Sequence, residues 1–281
     1  MPLSILYSIK LSHLLCFMRL PHYVRSFLGS KINITQTFTS AQLSIFGLDV
    51  HLLPQPETSA MSTLFLKELV HQGILQNNLK LLDIGCGDCR ACTALSTHVE
   101  LSYTGIDYGN SNDFRSLTPV NHSAVKSFVI VETLLSNFKP DSSFDVIICS
   151  HFLEHQPCIS STLLTICKLA SPGSFILFEF PLPHKRMIGG HTTLLTPALL
   201  AYNLALLGVS CIRSIAHTHS SYGILGFFYN PDESNDLSLS YRNSLIFDVG
   251  ELEQVSHLLP SCIEEGSNML MSWNTLHGDR I

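Results

Sequence analysis

Two carboxylates and a glycine turn carry the first chemistry that can be read from this chain. In Lys80-Leu81-Leu82-Asp83-Ile84-Gly85-Cys86-Gly87-Asp88-Cys89-Arg90 an acid stands among apolar residues, and the run enters a Gly-x-Gly turn. Ala91-Cys92-Thr93-Ala94-Leu95 behind it has the composition of a helix. A helix start leaves N–H groups without partners, and glycine lets a ligand come close to the backbone. Asp83, Gly85, Cys86 and Gly87 are therefore expected to hold a nucleotide-like cofactor. Tyr103-Thr104-Gly105-Ile106-Asp107 reads as the next strand, ending on a second acid. Asp107 lies about 20 residues past Gly87, the spacing at which a βαβ unit presents a carboxylate to ribose hydroxyls. A carboxylate accepts both hydroxyl protons of a ribose. The dinucleotide fingerprint needs a third glycine where Arg90 stands, which weakens an NAD reading.

The imidazoles come next. His151 follows the apolar run Phe144–Cys149, at the carboxyl edge where α/β sheets bind ligands. A ring nitrogen there could take a proton from a substrate hydroxyl, and His151 is the first candidate base. His184 and His191 lie in a loop with Gly189 and Gly190, a natural substrate wall, and His191 is the second candidate. A carbon or amine substrate needs no dedicated base. His155 reads as structural, and Glu154 as a helix cap.

Two further segments follow in order. One is Phe138-Lys139-Pro140-Asp141-Ser142-Ser143-Phe144-Asp145-Val146-Ile147-Ile148-Cys149-Ser150-His151-Phe152-Leu153-Glu154-His155, and the other is Ser171-Pro172-Gly173-Ser174-Phe175-Ile176-Leu177-Phe178. With the D-x-G-x-G turn and the acid-ended strand, these four motifs resemble class I S-adenosylmethionine-dependent methyltransferases. The resemblance spans about Leu81 to Pro181 and is closest to the small-molecule branch of ubiquinone/menaquinone-pathway and sugar methyltransferases. It implies S-adenosyl-L-methionine as cofactor and a small-molecule methyl acceptor. It further implies Asp83 near the cofactor's amino group, Asp107 on the ribose, Tyr108 against the adenine or in the core, and Glu132 on the adenine amino group. Thr133 would offer a backbone N–H to the ring, and Ser150 joins the cofactor-binding set. Cys89 stands where the family often has a third glycine, a position read as serving helix packing. That departure keeps a second reading open, a methyltransferase-like scaffold without turnover.

These residues need an α/β frame. The chain has 281 residues, 46% of them hydrophobic, and a net charge of −6. That length buries a full core, and the acidic balance argues against a nucleic-acid surface. Nine scattered cysteines form no disulfide framework and suit a reducing cytosol. Cys86, Cys89 and Cys92 have a metal-like C-x-x-C-x-x-C spacing, but they fall inside the turn and helix with no fourth ligand; packing at a crowded turn is preferred, and no metal site is read. No apolar run reaches membrane-spanning length.

The alternation predicts a helix over Thr63–Gln76, strands at Leu81–Ile84, Tyr103–Asp107, Val125–Val131, Phe144–Cys149 and Ser174–Phe180, and helices over Ile159–Ala170 and Pro197–Leu207. Ser210–His217 and Tyr222–Tyr229 are so close that they must pair antiparallel. The expected fold is a Rossmann-like, seven-stranded methyltransferase sheet with an antiparallel last strand. It comprises residues 61–230, preceded by an N-terminal helical cap and linker (1–60) and followed by a C-terminal extension (231–281). The extension is expected to carry a strand-like run at Ser244–Val249 and a short helix at Glu251–Leu259. The cap is read as one or two amphipathic helices covering part of the domain, and the resemblance implies that they lie over the substrate cavity; contact with a membrane surface is a second reading of the same segment.

Overall fold

The computed structural model describes residues 42–45, 48–51, 61–109, 120, 122–183, 188–219, 222–231, 255–263 and 267–275. The expected N-terminal helices, His184 and the run at Ser244–Val249 lie outside these. Strands β1 (Gln42–Ile45) and β2 (Leu48–His51) form a small sheet of their own, where a linker was expected. Two apolar segments separated by two residues, the second Gly47, are a hairpin signal that the breaker-based reading passed over.

From Thr58 onward the chain is one compact unit. Its elements run α1 (Met61–His71), β3 (Leu79–Ile84), α2 (Arg90–Leu95), β4 (Leu101–Asp107), β5 (Val125–Glu132), β6 (Phe144–Ser150), α3 (Ile159–Leu169), β7 (Ala170–Pro181), α4 (Pro197–Leu206), β8 (Ser214–His219), β9 (Tyr222–Phe228) and β10 (Trp273–Asn274). They build one sheet in the order β10-β8-β9-β7-β6-β3-β4-β5. The strands β7-β6-β3-β4-β5 are parallel neighbours, whereas β9 is antiparallel to both β7 and β8. This is the expected seven-stranded sheet, with one more short strand at its edge.

The central strands are apolar on both faces, as parallel sheets covered by helices must be. Leu82, Ile84, Ile147, Cys149, Ile176 and Phe178 join α3 and α4 in one core cluster. Phe175, on the other face, stacks on Phe65 of α1 at 6.3 Å. Helix α4 starts where Thr196 Oγ1 accepts from the Leu199 N–H and Pro197 occupies the first turn. Strand β7 begins at Ala170, four residues before its expected start. The register shift against β6 between Phe144 and Val146 absorbs the Pro172-Gly173 kink. Strand β8 starts at Ser214, four residues after its expected start, because the Cys211 N–H is bonded to Leu258 O (2.7 Å) in the C-terminal extension. In that extension Val255 is helical and a 3-10 turn follows at Ser256–Leu258, inside the expected Glu251–Leu259 helix, and the extension supplies β10.

Candidate functional site

The carboxyl ends of β3, β4 and β6 converge on one cleft of about 920 Å³, within the usual range of small-molecule sites. Asp83, Gly85, Cys86, Gly87, Asp107 and Tyr108 all line it, as do Thr133, Ser150 and His151. The glycine turn hangs from the end of β4: the Gly85 and Cys86 N–H groups both donate to Ile106 O, at 2.8 and 3.2 Å. Gly85 and Gly87 take positive φ angles, +73° and +49°, a conformation open to glycine at little cost. A Cβ on Gly105 would come within 2.8 Å of Cys86 Sγ, so a side chain there would have to displace that of Cys86 in the turn.

Asp107 ties the two loops together. Its Oδ2 accepts from the Gly87 N–H at 3.2 Å and its Oδ1 from the Gly109 N–H at 3.1 Å. Each carboxylate oxygen keeps further acceptor capacity for a ligand hydroxyl. Asp83 is buried and accepts a hydrogen bond from the Tyr103 hydroxyl at 2.7 Å. Burial pushes its carboxyl up to about 6, against the lowering effect of the Tyr103 bond.

Cys89 adopts the left-handed conformation (φ 63°, ψ 34°) just before α2. A glycine at that position would serve the backbone angle as well as the helix packing expected of it, since Cys89 is fully buried there. Cys86, Cys89 and Cys92 are buried free thiols. The bond from Cys86 to Cys89, together with burial, pushes the Cys86 thiol up, and burial pushes Cys92 up to about 12. Cys86 and Cys92 are thereby held neutral inside the turn and helix.

Three expectations change. Tyr108 is 56% exposed, which rules out the core-aromatic reading and leaves it at the cleft mouth. The Thr133 N–H, expected to face the ligand, donates instead to Asp107 O at 2.7 Å. Glu132 is outside the cleft lining; its carboxylate lies over Gly109, in the space a Cβ there would fill.

His151 sits at φ 52° directly after β6, its N–H bonded to Glu179 O. Its ring lies between two buried carboxylates, with Nδ1 at 3.2 Å from Glu154 Oε1 and Nε2 at 3.9 Å from Glu179 Oε1. The Glu154 bond and the Glu179 charge raise its pKa above the ordinary imidazole value, against partial burial. Glu179 Oε2 also accepts from Ser62 N–H, Ser62 Oγ and Ser150 Oγ, at 3.1, 2.6 and 2.9 Å. Sequence reasoning missed Glu179 and Ser62. The available signal was one acid inside the apolar run Phe175–Phe180, a residue type seldom buried without partners. His191 does not line the cleft; its ring meets that of His155 edge-on at 5.1 Å, and it is His155 that reaches the cleft.

A family model described as "Methyltransferase domain" matches residues 58–222, more than half of the chain. The chain belongs to the methyltransferase-domain family. It is 34% identical over 105 residues to the ubiquinone biosynthesis O-methyltransferase of Saccharophagus degradans, covering 36% of this chain and 42% of that protein. It is 27% identical over 125 residues to the sterol 24-C-methyltransferase of Candida albicans, covering 42% and 32%. Each match spans less than half of the relative's own length. Among solved structures, a 1,6-didemethyltoxoflavin-N1-methyltransferase of Burkholderia thailandensis is similar at a TM-score of 0.48 and 16% identity, covering 62% of this chain and 80% of that one. Among the described residues no helix is long and apolar enough to cross a membrane.

Proposed function

We propose that this methyltransferase-family domain binds S-adenosyl-L-methionine and moves its methyl group to a small-molecule acceptor, with oxygen the favoured target. The observation that carries this reading is Asp107 fixing the glycine turn at the edge of the cleft. In this reading Asp83 faces the amino group of the cofactor, the turn from Gly85 to Gly87 follows its methionine portion, and Asp107 takes the ribose hydroxyls. Methyl transfer is an in-line displacement, so alignment and exclusion of water do most of the work. His151 supports the choice of oxygen. With Nδ1 held by Glu154, the proton from an acceptor hydroxyl would go to Nε2, where the Glu179 carboxylate 3.9 Å away favours the charged ring. The two relatives named above carry O- and C-methyltransferase names, so membership of the family leaves the acceptor atom to the site itself.

The test is calorimetric titration with S-adenosylhomocysteine, with NAD as control. Asp107→Asn is the variant of choice. It keeps an acceptor for one of the two backbone N–H groups, whereas Asp107→Ala would release both. Saturable binding of S-adenosylhomocysteine alone, weakened at least about tenfold in Asp107→Asn, supports the reading; each tenfold is about 1.4 kcal/mol. A protein that binds neither nucleotide overturns it in favour of a scaffold that keeps the fold alone.

A further inference from the structure

We propose that Glu154, His155 and His191 form a binding site for a divalent transition-metal ion at the rim of the cleft. The three residues come from two parts of the chain, the 3-10 turn Leu153–His155 after β6 and the loop between β7 and α4. Each offers one ligand atom, and these atoms lie within 4.8 Å of one another. Ligands about 2.1 Å from a shared tetrahedral ion stand about 3.4 Å apart. At most about 1.4 Å of closure is therefore required, within reach of the exposed His155 ring and the half-buried His191 ring on the loop that follows Gly189 and Gly190.

Three observations make this a built site rather than a chance cluster. Glu154 is 98% buried by side-chain exposure (2%), yet its Oε2 has no hydrogen-bond partner. A buried carboxylate oxygen left this way is costly, and a cation is the partner that offsets the cost. Its other oxygen is already engaged by His151. Next, His155 Nδ1 lies 2.9 Å from Gly190 O. A carbonyl only accepts, so Nδ1 carries the hydrogen and Nε2 presents its lone pair. This backbone-carbonyl contact is the usual outer support of a metal-bound histidine. Last, the loop that delivers His191 is latched to the same residue: the Thr192 and Thr193 N–H groups donate to Glu154 O at 2.7 and 3.1 Å.

Two imidazoles and one carboxylate suit zinc, cobalt, nickel or iron better than magnesium or calcium. Three protein ligands leave at least one position for water or a ligand oxygen. His155 and Gly190 both line the cleft, so that position opens beside whatever the cleft holds. The site stands whether or not the cleft binds S-adenosylmethionine.

The experiment is a titration of metal-free full-length protein with Co²⁺, followed by its visible d–d absorption, and with Zn²⁺ by calorimetry. Cys158 and Cys262, the exposed thiols among the described residues, are replaced by serine to remove sulfur ligation. One ion per chain is expected, with a nitrogen/oxygen spectrum free of thiolate charge-transfer bands. Affinity should fall at least about tenfold in His191→Ala and in Glu154→Gln, judged against outer-support losses of 10–100-fold, and should be unchanged in His122→Ala. His191→Ala changes only a loop side chain, so it keeps the test valid if Glu154→Gln unfolds. Absence of stoichiometric binding overturns the proposal, as does binding that survives His155→Ala with His191→Ala. Because no nucleotide is present, a negative result leaves the reading of the cofactor cleft untouched.

Discussion

Asp83 is the residue at which folding and the proposed binding pull in opposite directions. Its folded value, about 6, lies above the ordinary 3.8, so the native state holds a proton that the unfolded chain releases earlier. The stability this group contributes is complete below about pH 4 and is lost as pH rises through 6. The shift corresponds to about 3 kcal/mol. Asp83→Asn keeps an acceptor for Tyr103 and never ionises, so its stability relative to the parent should improve by up to about 3 kcal/mol between pH 4 and pH 7.5. Urea unfolding at the two pH values checks this, and a difference independent of pH would refute it. The same variant should bind S-adenosylhomocysteine more weakly, the trade expected where a strained group serves a ligand. Cys89 gives a second residue-scale prediction. Its left-handed backbone costs a side-chain-bearing residue about 1–2 kcal/mol, so Cys89→Gly should be more stable than Cys89→Ala by about 1 kcal/mol in urea, the reverse of the usual helix order. At this scale Asp83, the glycines and Asp107 were legible because a turn and one βαβ spacing place them. Glu179, Ser62 and the Glu154–His151 contact were not. Ser62 lies 117 residues from Glu179, and only the packing of α1 against β7 brings the two together.

Element type was legible wherever apolar periodicity was strong, and ends were lost where a distant segment decides them. β8 shows why. Its expected first residues, Ser210 and Cys211, are buried, and the Cys211 N–H is bonded to Leu258 O; nothing local announces that partner. β10 was missed altogether, because two residues carry no period. It nonetheless holds the open edge of β8: Trp273 pairs with Ala216 and Asn274 with Ile215. Thr275 reinforces it, its N–H donating to Ser214 O and its Oγ1 accepting from the Ser214 N–H, both at 2.8 Å; that hydroxyl also bonds Ile212 O. An unpaired edge strand is a template for association. Deleting residues 271–281 should therefore lower the melting temperature and shift the protein toward larger species in light scattering. Thr275→Val should destabilise by about 1–2 kcal/mol without that shift. Equal behaviour of the two variants would mean that β10 does not guard the edge.

Over the whole molecule, the sheet separates what binds from what holds the fold. The glycine turn, the Asp107-Tyr108-Gly109 corner and the Ser150–His155 segment meet at the carboxyl ends of β3, β4 and β6. Parallel strands in the order β6-β3-β4 reverse direction of growth at β3, and such a switch point opens a crevice between neighbouring loops. That crevice could be foreseen from alternating strands and helices alone. The flank from β9 to β10 lies outside the cleft lining and rests on antiparallel pairing. A ligand that binds only the folded state stabilises it by RT ln(1 + [L]/Kd), about 2.7 kcal/mol at one hundred times Kd, and slows exchange first where local opening exposes its contacts. Saturating S-adenosylhomocysteine should therefore slow amide exchange in three peptides far apart in sequence, around Gly85–Arg90, Asp107–Gly109 and Ser150–Gln156. Exchange in β8 and β10 should change only by the global increment that all core amides share. Hydrogen-exchange mass spectrometry reads both effects in one experiment. Protection confined to β8–β10, or protection of only one of the three peptides, would place the nucleotide somewhere other than this cleft, because a ligand seated at the switch point must touch all three loops at once.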